Sequence, residues 1–232
     1  MMTSSKNPSL LTAKKAAGEA AAGFIQEGMI VGLGTGSTAF FFIEALGMRI
    51  HEGLKISAVA TSEQSAAQAR RLGIPLLDPA TITTIDITVD GADEIDPRKN
   101  MIKGGGGALF REKLLAEASQ EMVVVIDETK KVDHLGKHPL PVEIGSFLFQ
   151  TTLQRIENLG HRGILRRNND QTPFMTDNGN YIVDIQYSSP ILDPFHAHNE
   201  LKKITGVIET GFFFQLAKRV VIGYENGHIK IC

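Results

Sequence analysis

Residues 29–46, MIVGLGTGSTAFFFIEAL, decide the fold. A short apolar run, 29–34, meets glycines at 32, 34 and 36 and emerges as a segment, Thr38 to Leu46, with the make-up of a helix. A strand that turns through glycine into a helix is half of a parallel crossover, because parallel neighbours need a long connection. The pattern continues on both sides. TAKKAAGEAAAGFIQ (12–26) is alanine-rich and reads as a helix ending near Gly28. ISAVAT (56–61) reads as a strand, and SEQSAAQARRL as a helix with Ser62 as N-cap and Gly73 at its end. IPLL (74–77) and IDITVD (85–90) read as buried strands, ALFREKLLAEAS (108–119) as a helix and MVVVID (122–127) as a continuous apolar strand. Strands separated by helices predict an α/β protein with a Rossmann-like, doubly wound, mostly parallel sheet.

The pattern changes after about residue 131. PVEI (141–144), RGILRR (162–167), NYIVDIQY (180–187) and VIET (207–210) read as strands, with helices at TTLQRIENL (151–159) and DPFHAHNELKKI (193–204). This β-α-β-β-α-β order predicts a smaller, ferredoxin-like α+β domain. RVVIGY and HIKI, joined by ENG, form a hairpin placed to rejoin the first sheet. The expected domains are therefore 1–131 with 206–232, and 132–205.

Composition removes several function classes. The formal net charge is −2, from 24 basic and 26 acidic side chains, with no Lys/Arg run, so a nucleic-acid partner is not expected. The single cysteine, Cys232, rules out an internal disulfide and a cysteine zinc site. MMTSSKNPSL lacks the apolar core of a signal peptide, and no stretch reaches the ~18 apolar residues of a membrane helix; a cytoplasmic protein with no membrane partner is the expectation. The seven histidines form no metal-ligand pattern: His196 and His198, two apart, point to different sides of a helix.

Four clusters carry chemistry. Gly32-Leu33-Gly34-Thr35-Gly36-Ser37-Thr38 offers backbone N–H groups, hydroxyls and a helix N-terminus to an anionic oxygen, or is a structural turn. The dinucleotide fingerprint fails, since the third glycine comes one position early and Leu54 stands where an acid is needed; the Gly-Lys-Ser/Thr of a triphosphate loop is absent. Asp90-Gly91-Ala92-Asp93-Glu94 follows a parallel strand, where ligands of open α/β sheets sit. Such carboxylates bind sugar hydroxyls, move protons or hold Mg²⁺; Glu94 reads as part of a solvated acidic turn. Lys103-Gly104-Gly105-Gly106-Gly107-Ala108 opens a helix, and four glycines in a row are too costly in entropy for plain scaffold. On that helix Glu112 shares a stripe with Ala108 and Leu115. It reads either as a base, tuned upward by an apolar flank, or as a surface residue beside Arg111 and Lys113. Asp127, Thr129 and Lys130 follow the strand MVVVI, where Lys130 reads either as a phosphate or hydroxyl contact or, with Asp127, as an ordinary exposed loop pair.

Taken together, GLGTGST, VDGADEI, MIKGGGGALFREK and VVVIDETKKVDHLGKHPLPVEI resemble the type A ribose-5-phosphate isomerase family, and TDNGNYIVD extends the resemblance across nearly the whole chain. The resemblance implies interconversion of D-ribose 5-phosphate and D-ribulose 5-phosphate within the pentose phosphate pathway, without metal or organic cofactor, by a cytoplasmic homodimer or homotetramer. It implies that Thr35, Gly36, Ser37 and Thr38, the loop Asp90, Gly91, Ala92 and Asp93, the run Lys103, Gly104, Gly105 and Gly106, and Lys130 contact the sugar phosphate. Glu112 is then the proton acceptor, with Asp90, Asp93 and Lys103 also catalytic. Two departures from the family pattern are Gly107, where alanine is common, and Thr210, where histidine is frequent.

An aldose–ketose isomerisation moves a proton from C2 to C1 through an enediolate, and one carboxylate on one face suffices. General-base catalysis contributes about 10²–10⁴-fold, with positioning and oxyanion stabilisation supplying the rest. Competing readings are a non-catalytic sugar-phosphate-sensing domain, for which a helix-turn-helix and a basic face are lacking, and an amino-sugar phosphate deaminase-isomerase.

Overall fold

The structure, a computed structural model, describes residues 8–232; the residues before Pro8, part of the segment read for a signal peptide, lie outside them. The chain divides into two compact units. One holds the described residues up to Ala92, with Arg111–Lys130 and Gln215–Cys232; the other holds Asp93–Phe110 and Lys131–Phe214.

The first unit is built on a six-stranded sheet. From edge to edge its strands are Ile229–Ile231, Ala217–Gly223, Ser119–Asp127, Ile85–Asp90, Ile30–Leu33 and Ser57–Ala60. All neighbours are parallel except the first pair. Leaving Ile30–Leu33, the chain adds Ser57–Ala60 on one side, then crosses to add Ile85–Asp90 on the other, so the winding reverses between Ile30–Leu33 and Ile85–Asp90. Ligands of doubly wound sheets lie at the carboxyl ends of the strands beside such a reversal.

Apolar strand residues buried on both faces and a stripe of small helix residues explain the layers. In the helix Pro8–Ala22, Ala13, Ala17 and Ala21 recur every four residues and are buried. Small surfaces let it approach closely: a Cβ on Gly18 would stand 2.6 Å from the Phe42 nitrogen, and one on Gly223 would stand 1.9 Å from the Ala13 carbonyl oxygen. The helix Ser37–His51 buries Phe42, Ile43 and Leu46 in the same core as Val31, Leu33, Val89, Val123 and Val125; each such side chain stabilises the fold by about 1.5–3 kcal/mol. Ser62 caps the helix Glu63–Arg71 by accepting from the Ser65 N–H at 3.1 Å, as the sequence predicts.

In the second unit Leu140–Ile144, Gly163–Leu165, Tyr181–Ile185 and Val207–Thr210 pair antiparallel, with Val207–Thr210 at one edge beside Leu140–Ile144, then Tyr181–Ile185, then Gly163–Leu165. The helices Phe149–Asn158 and Pro194–Lys202 complete the expected β-α-β-β-α-β order.

Three details depart from the sequence reading. IPLL is not a strand: only an isolated bridge joins Leu76 to Ala58, and Pro75 has no N–H to continue a ladder. The first helix ends at Ala22, not near Gly28. The chain also forms a small three-stranded sheet of Glu94–Ile95, Met101–Ile102 and Phe212–Phe213. These pairings group residues 93–110 with the second unit, and the pairing of Val207–Thr210 with Leu140–Ile144 draws in 207–214, whereas the sequence reading set the divide at 131 and 206.

Candidate active site

The carboxyl ends of the parallel strands carry three buried polar residues of the first unit, Thr35, Asp90 and Asp127. Asp90, 0% exposed, is the last residue of its strand, and its Oδ1 accepts from the Thr35 N–H at 3.0 Å and the Gly91 N–H at 2.7 Å. That bond across two strand ends needs glycine at 34: a Cβ there would lie 2.2 Å from Asp90 Oδ1 and 2.5 Å from its Cα. Gly36, at φ 107°, caps the helix Ser37–His51, directing its first N–H groups to the same edge.

The sequence reading treated the Thr35 hydroxyl as a ligand donor. In the structure it belongs to a buried cluster. Thr61 Oγ1 donates to the Leu33 carbonyl (3.0 Å), Ser65 Oγ to the Gly34 carbonyl (2.7 Å), Ser62 Oγ to Ser65 Oγ (3.1 Å) and Thr35 Oγ1 to Ser62 Oγ (2.8 Å). Each hydroxyl proton has an internal acceptor, so this side chain anchors the turn from below. Ser37 is exposed beside it and Thr38 is buried.

At the end of Ser119–Asp127, Asp127 Oδ1 accepts from the Thr129 N–H at 3.0 Å and from the Thr129 hydroxyl, folding the turn that carries Lys130. Its Oδ2 faces Lys14 Nζ at 3.9 Å, with both side chains buried. Burial, foremost, lowers the Lys14 pKa; Asp127 opposes that shift and the Lys130 charge adds to it. Lys14 and Lys130 thus bring two cations close to the Asp127 carboxylate. Lys14 escaped the sequence reading because its helix looked uniformly alanine-rich; a lysine on the buried stripe of that helix was the available signal.

Glu112 lies in the first turn of the helix Leu109–Ala118 and is 3% exposed. It is therefore not a surface residue, and its carboxylate sits at the positive end of the helix dipole.

In the second unit, Lys103 is 2% exposed, with Nζ 5.3 Å from the centre of the Phe213 ring. Gly104 (φ 102°) and Gly107 (φ 84°) take left-handed conformations that favour glycine. The Gly105 N–H donates to Asp93 Oδ2 at 2.7 Å. Glu94 is not in a solvated turn: it is buried and accepts from the Gly136 N–H at 2.8 Å and from the His138 N–H. His198 Nδ1 lies 2.7 Å from Thr210 Oγ1. Among the described residues no group of three or more His, Cys, Asp or Glu side chains is arranged to hold a metal ion.

With this geometry in place, comparison with known proteins is decisive. The family model described as ribose 5-phosphate isomerase A (phosphoriboisomerase A) matches residues 57–227. The chain belongs to this family. The ribose-5-phosphate isomerase A of Protochlamydia amoebophila is 56% identical over 230 residues, 99% of each chain. That of Bacillus mycoides is 49% identical over 218 residues, 94% of this chain and 98% of its own. The structure of ribose 5-phosphate isomerase A from Methanocaldococcus jannaschii matches with a TM-score of 0.88 at 35% identity, covering 95% of this chain and 97% of its own. A D-ribose-5-phosphate isomerase in complex with phospho-erythronic acid matches with a TM-score of 0.89 at 38% identity, over 95% and 97%. Both structural matches span nearly the whole chain, and so take in the mostly parallel sheet and the smaller antiparallel one alike.

Proposed function

We propose that this chain interconverts D-ribose 5-phosphate and D-ribulose 5-phosphate through an enediolate. Membership of the isomerase family, together with a glutamate buried in the first turn of the helix that follows the four-glycine loop, carries the reading. Glu112 takes the proton from C2 and returns it to C1. Lys103 and backbone N–H groups of the glycine loop, that of Gly106 among them, stabilise the negative oxygen that develops as the proton leaves, while the Gly105 N–H holds Asp93. Asp90 assists furanose opening and relays the hydroxyl proton, while Asp93 orients hydroxyls. The turn of Thr35, Gly36, Ser37 and Thr38, the backbone at Gly91 and Ala92, and Lys130 bind the sugar phosphate. Lys14 adds a second cation at the Lys130 end.

The phospho-erythronic acid held by the solved relative fits this chemistry. Its planar carboxylate has the shape and charge of an enediolate, and its phosphate matches that of a pentose phosphate. The same proposal includes the cytoplasm and a homodimer or homotetramer. No helix among the described residues is long and apolar enough to cross a membrane, and Phe147 and Leu192, each 86% exposed, are apolar surface that a second copy would cover.

The test is turnover of ribose 5-phosphate in D₂O by the wild-type chain and by Glu112→Gln. Ribulose 5-phosphate forms with the wild type, and the variant loses about 10²–10⁴-fold in kcat while still binding substrate. No wild-type turnover would refute the activity; equal turnover by the variant would remove Glu112 as the base.

A further inference from the structure

The four-glycine loop is held from behind by a residue outside the motifs discussed so far. Arg166 Nη1 donates to the Gly104 carbonyl at 3.0 Å and to the Gly105 carbonyl at 3.2 Å. The rest of the guanidinium is fixed in turn: Nε donates to Asp184 Oδ2 at 2.8 Å and Nη2 to Asp184 Oδ1, a two-pronged pair. Asp184 sits within the strand Tyr181–Ile185. The backbone of Arg166 is tied on both sides, its N–H to the Ile182 carbonyl at 2.8 Å and its carbonyl to the Phe174 N–H at 2.9 Å. The Phe174 ring lies 5.7 Å from the guanidinium carbon and fills the space where a Cβ on Gly107 would fall, 2.5 Å from its Cζ.

Peptide geometry turns this anchor into a pointing device. A trans peptide is planar, with its C=O and N–H directed oppositely. The carbonyl of Gly104 shares a peptide plane with the N–H of Gly105, and that N–H, facing away from Arg166, meets Asp93 Oδ2 at 2.7 Å. The carbonyl of Gly105 likewise shares a plane with the N–H of Gly106. This N–H also faces away from Arg166, and it makes no hydrogen bond within the described chain. A cation behind the two carbonyls polarises both peptide groups and strengthens their N–H groups as donors. Glycine imposes little preference on these planes by itself. The Gly104–Gly105 plane is also held by the Gly107 N–H, which donates to the Gly104 carbonyl at 3.0 Å, and by Asp93, so the guanidinium matters most for the Gly105–Gly106 plane, which would otherwise have to be ordered at the moment of reaction.

We propose that Arg166, locked by Asp184, is a positioning residue for the isomerisation: by pinning the Gly104 and Gly105 carbonyls it aims the Gly106 N–H at the negative oxygen that develops on the sugar phosphate. The inference rests on the isomerase reading above. It concerns an interaction that strengthens as charge develops, so its loss appears in kcat more than in KM.

The experiment compares wild type, Arg166→Met, Arg166→Lys and Asp184→Asn with ribose 5-phosphate as substrate and phospho-erythronic acid as inhibitor. Removing an oxyanion donor outright lowers kcat about 10²–10³-fold; a donor left in place but unaimed should lose roughly 10–100-fold. Arg166→Met is expected to show that fall with KM changed less than about threefold, and with inhibitor affinity falling in parallel with kcat. Added guanidinium ion restores part of the Arg166→Met activity. Arg166→Lys recovers little, since one ammonium cannot serve two carbonyls and a carboxylate together. If Arg166→Met does not fold, Arg166→Lys and Asp184→Asn carry the same comparison. Unchanged kcat, or a rise in KM alone, overturns the proposal. A wild type without isomerase activity would refute the functional reading instead, so the two failures are distinct.

Discussion

Gly34→Ala tests whether the strand-end geometry around Asp90 is as tight as it looks. The added methyl would stand 2.2 Å from Asp90 Oδ1, 2.4 Å from Cγ and 2.5 Å from Cα, against about 3.5–4.0 Å for unstrained contact. Rotating the Asp90 side chain relieves the first two contacts and not the third, which is to backbone. The backbones cannot slide apart freely either: Gly34 N–H donates to the Val89 carbonyl at 2.9 Å, and Leu33 is in register with Val89. Overpacking costs about 1–3 kcal/mol. Displacing the carboxylate loses two charge-assisted hydrogen bonds, from Thr35 N–H and Gly91 N–H, each worth about 1.5–3 kcal/mol. The sum is about 4–9 kcal/mol if nothing relaxes, and partial relaxation should leave roughly 3–5. At about 2–4 °C per kcal/mol for a chain of this size, Tm should fall by at least ~6 °C. The assay is thermal unfolding by circular dichroism, with turnover measured on the fraction still folded, which should be at least ~10²-fold slower. Gly91→Ala is the control: its methyl meets nothing closer than 3.7 Å, so its Tm should stay within about 2 °C of wild type. A Gly34→Ala protein that melts and turns over like wild type would refute the argument.

Two further predictions concern pH. Asp127→Asn removes the carboxylate that supports the Lys14 charge, while burial and Lys130, the other influences on Lys14, still press its pKa down; the alkaline fall in kcat/KM should move to lower pH, and an unmoved limb would count against Lys14 as a phosphate contact. In the second unit, burial foremost lowers the His161 pKa from its ordinary 6.5, against the pull of Glu200, and its Nδ1 lies 3.4 Å from the Tyr187 hydroxyl. Because the unfolded chain takes the proton first, the stability this histidine contributes is present above about pH 6.5 and lost as pH falls through the depressed folded value. Tyr187, pushed up to about 12 by burial, gives the opposite dependence, with stability lost as pH rises from 10 through about 12. Urea midpoints measured across pH should show a shallower acid slope in His161→Phe, and an unchanged slope would contradict the assignment.

The parallel sheet was readable because each strand is an apolar run ending in chemically distinctive residues: glycines at 32–36, the acids from Asp90, and Asp127. Local chemistry also sufficed for the Ser62 cap. What escaped is set by partners distant in sequence. Glu94 looks like part of a solvated turn until Gly136 and His138 supply its N–H donors 42 and 44 residues later. Arg166 has no local mark of its task, since the carbonyls it holds lie 62 and 61 residues earlier. The two-residue strands Glu94–Ile95, Met101–Ile102 and Phe212–Phe213 are too short to show a period. Helical spacing alone left Glu112 undecided, because Arg111 and Lys113 flank it equally well on a surface; its burial removes the surface reading.

The last strand of the sheet has a practical corollary. It runs back against its neighbour, so the only thiol of the chain, Cys232, stands exposed opposite Val220, three residues or roughly 10 Å short of Gly223 at the carboxyl end of that neighbour. A maleimide tether or dye would therefore attach at a single defined point on the edge strand, away from the exposed Gly36 and Ser37 of the glycine turn.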